Sequence, residues 1–205
     1  QSTPDTPGQT NKQPVWIPVQ MGLIGTNGQD MAINIDQPEH WTESSQVLHL
    51  REAKQTFRFT GLNEEPVVSL FRDFSAPVRV NYVQTPETLR FLLKHDSDGF
   101  NRWDAGQTLM LHWIEQARGG SFSLTTEDTE ALKSLLNDES LDPAMVAYLM
   151  ALPSESYIAE FATVIDPVAI HNARELVADA IAQALQADFK ATYERLNIIG
   201  EYRPV

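Results

Sequence analysis

The chain has 205 residues, 42% hydrophobic and 21% charged, enough ordinary globular composition to bury one large core or two small ones. Its formal net charge of −13 lacks the basic footprint that nucleic acid requires, and the absence of cysteine removes both disulfides and thiolate zinc ligands. No apolar run approaches the ~20 residues of a membrane span. The opening residues are polar and turn-rich, unlike a signal peptide, and no Asn-x-Ser/Thr sequon occurs, which predicts a cytoplasmic chain without membrane or nucleic-acid partners. The charge is uneven, with nine acids and six bases up to Gln84 against nineteen and nine from Thr85 onward.

Gln1–Gln13 reads as loop, punctuated by Pro4, Pro7 and Gly8. From Pro14 the pattern is extended, with Val15, Ile17 and Val19 alternating with Trp16, Pro18 and Gln20. Pro18 cannot donate to a ladder, so this strand is expected at an edge or bulged there. Met21–Ile24 leads into Gly25-Thr-Asn-Gly28, where Asn27-Gly28 predicts a tight hairpin turn through paired positive φ angles, with Met31–Ile35 as the return strand. Val47–Leu50, Gln55–Phe59, Pro66–Leu70 and Val78–Tyr82 complete about six short strands, with Phe57 and Phe59 on one face. That spacing predicts a small antiparallel β-sandwich over residues 1–84.

At Thr85 the hydrophobic period changes from two to about 3.6. Thr85 is a candidate N-cap followed by Pro86 and Glu87, for a helix to Lys94. Asp98 caps the next, in which Phe100, Trp103, Gln107, Met110, Ile114 and Ala117 share a face until Gly119-Gly120. Thr125 and Asp128 form a capping box before Leu132, Leu135 and Leu136. Asp142-Pro143 and Asp166-Pro167 start further helices, Pro153-Ser154 separates two short ones, and the last runs from Pro167 to about Leu196. Six helices with short connections over residues 85–205 predict stacked antiparallel neighbours, a solenoid-like all-α segment. The fold class expected is therefore an α+β two-domain chain.

Chemistry-bearing motifs are scarce. The histidines His40, His49, His95, His112 and His171 include no pair at the spacing of a helical zinc site. Asp96-Ser-Asp98-Gly opens like a calcium loop, but Phe100 occupies a ligand position and the glycine comes early, so helix capping accounts for it better. Asp73, Asp98 and Asp104 lie near the change of period and suit a carboxylate pair in principle. Arg72, Arg79 and Arg102 are equally near, which favours structural ion pairs. There is no Gly-x-Ser-x-Gly nucleophile elbow, and Gly25/Gly28 and Gly119/Gly120 lack the lysine of a phosphate loop. Trp16, Trp41, Trp103 and Trp113 allow a sugar platform, with core packing as the alternative.

Several longer phrases are more specific. Pro14-Val-Trp-Ile-Pro-Val, Gln55-Thr-Phe-Arg-Phe, Asp73-Phe-Ser-Ala-Pro-Val and Phe100-Asn-Arg-Trp-Asp-Ala-Gly-Gln resemble the bacterial aminopeptidase N family of zinc alanyl aminopeptidases (gluzincins), as do Leu141-Asp-Pro-Ala, Ala151-Leu-Pro-Ser, Val164-Ile-Asp-Pro-Val-Ala-Ile and Glu201-Tyr-Arg. They occur in the family's order along nearly the whole chain. The resemblance implies the family's β-sandwich followed by the first helices of its C-terminal helical domain. It also implies a parent enzyme that removes N-terminal residues from peptides with a zinc-activated water, the zinc and catalytic motifs belonging upstream of Gln1. No catalytic, cofactor-binding or metal-binding residue is carried over to a position here, and no cofactor is expected in this chain. The expected partners are the catalytic domain of the same polypeptide and, for the parent, peptide substrate. Both ends fall inside the family's domains under this resemblance, so an unpaired strand edge and an open helix face predict self-association. The expected role is structural, with the sandwich as spacer and the helices walling a substrate chamber. A stand-alone binding module working through aromatics, or an independent carboxylate hydrolase, are the alternatives.

Overall fold

The computed structural model describes residues 1–197 and 200; the phrase at Glu201-Tyr-Arg lies outside them. Two compact units divide the chain, Gln1–Arg102 and Trp103–Val205. The first holds six strands, β1 (Ile17–Ile24), β2 (Asn34–Ile35), β3 (Trp41–Thr42), β4 (Val47–Leu50), β5 (Phe59–Thr60) and β6 (Val67–Leu70), then helix α1 (Pro86–His95) and the start of α2 (Gly99–Arg118). An antiparallel four-stranded sheet runs β3-β4-β1-β6, and β2 pairs with β5 in a second small sheet.

Period-two patterning builds the sandwich core. Val19, Met21, Leu23 and Leu48 are buried together, with Ile17, Ile35, Trp41, Phe57, Phe59, Val68 and Leu70 packed against them. Along β1 the odd positions therefore face this core, and Pro18, Gln20, Gly22 and Ile24 face the other way.

β1 answers the question that Pro18 poses. It is interior in the sheet order, yet β6 pairs only with its second half, Met21–Ile24. Met21 N–H donates to Gln46 O on the β4 side, whereas Gln20 N–H donates to Ser75 Oγ. Pro18, in phase with Gln20, thus turns its missing donor to the side that β6 does not reach.

Four expectations need correction. Among the described turn residues only Gly28 has positive φ, at 77°. Gly28 N–H donates to Gly25 O and Gly25 N–H to Gln29 O, so this is a longer hairpin turn with a left-handed glycine instead of a two-residue turn. The return strand is short: Asp30 bridges Ile24, and then Asn34–Ile35 leaves to pair with Phe59–Thr60. Gln55–Phe59 contributes only its last residue to a strand. Val78–Tyr82 is irregular, with Val78, Val80 and Tyr82 exposed; its alternation is real, but no ladder partner among the described residues converts it to a strand.

The second unit contains the rest of α2, then α3 (Thr126–Leu136), α4 (Pro143–Met150), α5 (Glu155–Ala159), α6 (Pro167–Ala184) and α7 (Gln186–Leu196). Local chemistry sets their starts. Thr125 and Asp128 form both arms of the capping box, and Asp142, Ser154 and Asp166 each accept from backbone N–H groups of the first turn. Gly120, with φ 71°, follows the end of α2. Seven helices appear among the described residues instead of six, because the expected final helix breaks at Leu185 (φ −110°, ψ 15°). Leu185 is fully buried, so packing and not a glycine or proline sets this break. Gln107 is buried and satisfied by donating to Ala151 O at 2.9 Å. Among the described residues no helix is long and apolar enough to cross a membrane.

Candidate functional site: the Arg72 corner

The most concentrated polar chemistry in the first unit lies behind the sheet, on the face of β1 and β6 turned from the sandwich core. Gly22 of β1 and Ser69 of β6 are direct partners in the antiparallel register. The Arg72 guanidinium lies over Gly22 so closely that any Cβ there would collide with it, so glycine inside a largely apolar strand marks a close approach. Arg72 Nε donates to Ser69 Oγ at 2.9 Å. Its two terminal nitrogens make a bidentate pair with Asp30 of the hairpin at 2.9 and 2.8 Å. Nη2 also lies 3.0 Å from Asp96 Oδ1, at the end of α1. Arg72 is 5% exposed and the Asp96 side chain fully buried.

The chain reaches this arrangement through an unusual backbone. Phe71, Asp73 and Phe74 have φ of 58°, 53° and 56°, a left-handed region that costs non-glycine residues roughly 1 kcal/mol or more each. Neighbouring bonds hold them there. Asp73 N–H donates to Asp98 Oδ2 at 2.9 Å, and Asp73 Oδ2 accepts from Gln20 Nε2 at 2.7 Å. Phe74 meets Phe100 edge to face with centroids 4.9 Å apart.

The turn between α1 and α2 completes the corner. Asp96 Oδ1 accepts from Asp98 N–H, Asp98 Oδ1 caps α2 by accepting from Asn101 N–H, and Asn101 Nδ2 donates to Ser69 Oγ and Leu70 O. Ser97 Oγ donates to Asp30 Oδ2. β6, the hairpin and both helices thus share one network.

One guanidinium faces two carboxylates, and their protonation equilibria diverge. The Arg72 hydrogen bond, with the Ser97 hydroxyl and the Arg72 charge, holds the Asp30 carboxyl below the usual carboxylate range against a smaller opposing effect of burial. Burial pushes Asp96 up, outweighing hydrogen bonds from Ser69 and the Asp98 N–H and the Arg72 charge. Burial pulls the guanidinium down, but the Asp30 hydrogen bond and the charges of Asp96, Asp30 and Asp98 outweigh it. Arg72 therefore stays charged, bidentate to Asp30 and in contact with Asp96 through one nitrogen.

The residues singled out from sequence are distributed as follows. Asp73 and Asp98 do meet, but through the Asp73 backbone, and both carboxylates are engaged in holding the turn. Asp104 lies in the second unit. Arg79 is exposed, and Arg102 Nε donates to Leu93 O. Asp96–Asp98 is a helix-to-helix connection closed by its own capping bonds, and Gly99 opens α2. Among the tryptophans Trp16 is the exposed one, at 61%, its ring under the Arg51 guanidinium; Trp41 packs on the sandwich core and Trp113 is buried. The aromatics therefore form no tryptophan platform within either unit.

His49 accepts from Trp16 Nε1 at Nδ1 and bonds Thr42 Oγ1 through Nε2. Burial, then the charges of Arg51 and His40, lowers its pKa. His95 lies against Gly28 of the hairpin, His171 pairs with Glu155 at 2.8 Å, and His112 is exposed. Among the described residues no three His, Asp or Glu side chains converge as metal ligands, so the zinc implied for the parent enzyme finds no fitting ligand set in them.

Comparison with known proteins matches this architecture half by half. Residues 1–83 match the domain of unknown function DUF3458 with an Ig-like fold, and residues 86–205 match its C-terminal companion of ARM repeats. The chain is 36% identical over 208 residues to aminopeptidase N of Escherichia coli (strain K12), covering 99% of this chain and 23% of that protein.

The chain belongs to the family of aminopeptidase N C-terminal domains.

Aminopeptidase N of Haemophilus influenzae is 33% identical over 204 residues, again covering 23% of that protein. Among solved structures, Legionella pneumophila aminopeptidase A in complex with aspartic acid aligns with a TM-score of 0.73 and 27% identity, over 92% of this chain and 21% of that one. The chain thus spans under a quarter of the length of these relatives, as their Ig-like and ARM-repeat parts.

Proposed function

We propose that this chain is a non-catalytic structural segment of a cytoplasmic zinc aminopeptidase that removes N-terminal residues from peptides. In this reading the sandwich acts as a spacer and the helices wall the substrate chamber. The observation that carries it is colinear similarity through 99% of the chain to only 23% of an aminopeptidase N. The Arg72 corner agrees with it in character, because Asp30, Asp73, Asp96 and Asp98 each hold a backbone N–H, a side-chain amide or the guanidinium. Zinc and the residues that bind it belong, on this reading, to a catalytic domain of the same polypeptide. That domain is the principal partner, and peptide is the parent's substrate.

The decisive experiment incubates the purified chain with zinc and a chromogenic alanyl amide. No turnover above the zinc-only control is expected, and the gene sequence upstream of Gln1 is expected to encode His-Glu-x-x-His. Turnover that survives purification and disappears on replacing a pair of the chain's histidines would overturn the reading.

A further inference from the structure

We propose that Arg72 is a latch that makes α1 and the first turn of α2 part of the sandwich's cooperative folding unit, so that Thr85 is a connector inside one body and not a hinge. The type of secondary structure changes at Thr85, and the two family matches change between residues 83 and 86. The polar network ignores that boundary. One side chain from the end of β6 binds Ser69 behind it, Asp30 on the hairpin 42 residues earlier, and Asp96 beyond α1.

Each partner is fixed by something else. Ser69 lies in the ladder opposite Gly22, Asp30 bridges Ile24 and is bonded by Ser97, and Asp96 holds the Asp98 N–H. Asn101 returns from α2 to the same Ser69 hydroxyl. The connection is also buried. Opening α1 away from the sheet would carry Asp96 away and leave the buried guanidinium short of a partner, a penalty that a solvent-exposed pair would not impose. Leu89, Leu92 and Leu93 of α1 are buried, and α1 packs on β6, so apolar and polar contributions act on the same surfaces. Local opening of α1 alone loses both and regains only that helix's chain entropy and the hydration of Asp96, which favours a helix that melts with its sheet.

Native-state hydrogen exchange on the intact chain, followed against urea, tests this. In the wild type the α1 amides of Leu89, Leu92 and Leu93 are expected to share one opening free energy and one urea dependence with the β1 amides of Met21 to Ile24. A separate α1 opening, with weaker urea dependence than the β1 amides, would overturn the proposal. Asp30→Asn keeps the side-chain shape and removes the charge from the hairpin side of the latch. It should raise α1 exchange by roughly tenfold or more, consistent with the loss of a charge-assisted bond, although Asp30 lies far from α1 in sequence. Acceleration confined to residues 25–31 would also overturn it. Arg72→Met should accelerate α1 and β1 amides together; if that variant does not fold, the wild-type isotherms and Asp30→Asn decide the question.

Discussion

At Gly22 a single hydrogen atom decides whether the guanidinium behind the sheet has a place to lie. Gly22→Ala puts a methyl group into Arg72, and because Arg72 is held on three sides the strain has little outlet. A loss of about 1–3 kcal/mol is expected, in the range of overpacked interiors, measured by urea unfolding of the intact chain. An unchanged midpoint would show that the guanidinium can move aside. The two carboxylates should respond to pH with opposite signs. Asp30 is lowered below its ordinary 3.8, so its contribution is present above that value and lost as pH falls through the folded-state value. Asp96 is raised above 3.8, so its contribution is full below 3.8 and lost as pH rises through the folded-state value. Urea melts between about pH 3 and 7, the span in which carboxylates titrate, should therefore show a steeper acid loss in wild type than in Asp30→Asn, while Asp96→Asn gains relative to wild type toward neutrality. Asp96→Asn becoming less stable with rising pH, relative to wild type, would reverse the assignment. His171 offers a check outside the corner. Its hydrogen bond to Glu155, and then that carboxylate's charge, raises it above the ordinary 6.5, so the protonated pair persists below the raised value and is lost as pH rises through it. NMR titration should find the shift, and Glu155→Gln should abolish most of it.

Elements whose ends are written in local chemistry were legible from sequence. Thr85, Asp98, Thr125, Asp142 and Asp166 each sit at a helix start and accept a first-turn N–H, because capping needs only neighbours two or three residues away. Thr125→Ala removes one arm of a complete capping box whose partner Asp128 is buried. It should cost about 1 kcal/mol, read as a lowered urea midpoint of the helical signal. What long-range packing decides was not legible. The break between α6 and α7 falls on a buried leucine, with no glycine or proline to announce it. The Val78–Tyr82 alternation lacks the ladder partner that makes a strand, and a sequence pattern cannot supply one. The corner is half visible in the sequence: Arg72, Asp73 and Asp98 are neighbours of the change in period, and the density of arginines there favours ion pairing. Asp30 was missed because it arrives from another hairpin. Gly22 carried a usable signal, since a glycine between Met21 and Leu23 in an apolar strand points to something lying close against the backbone.

For the whole molecule, charge is the dominant global term. A net charge of −13 implies self-repulsion in the compact state, which salt screens, while the Arg72–Asp96 pair, buried on both sides, is screened far less. Raising ionic strength at neutral pH is therefore expected to increase the thermal midpoint; a decrease would mean that exposed attractive pairs outweigh the repulsion. The Arg72 corner also bears on how this architecture can be recombined with that of its relatives. A chimera joined at residue 84, where the Ig-like match gives way to the ARM-repeat match, would take Arg72, Asp30 and Ser69 from one parent but Asp96, Ser97 and Asn101 from the other. Those six side chains would then have to fit without having been selected together. Moving the crossover past Arg102 inherits the whole set from one parent, so the tolerated splice point lies inside a helix and not in the loop that precedes it.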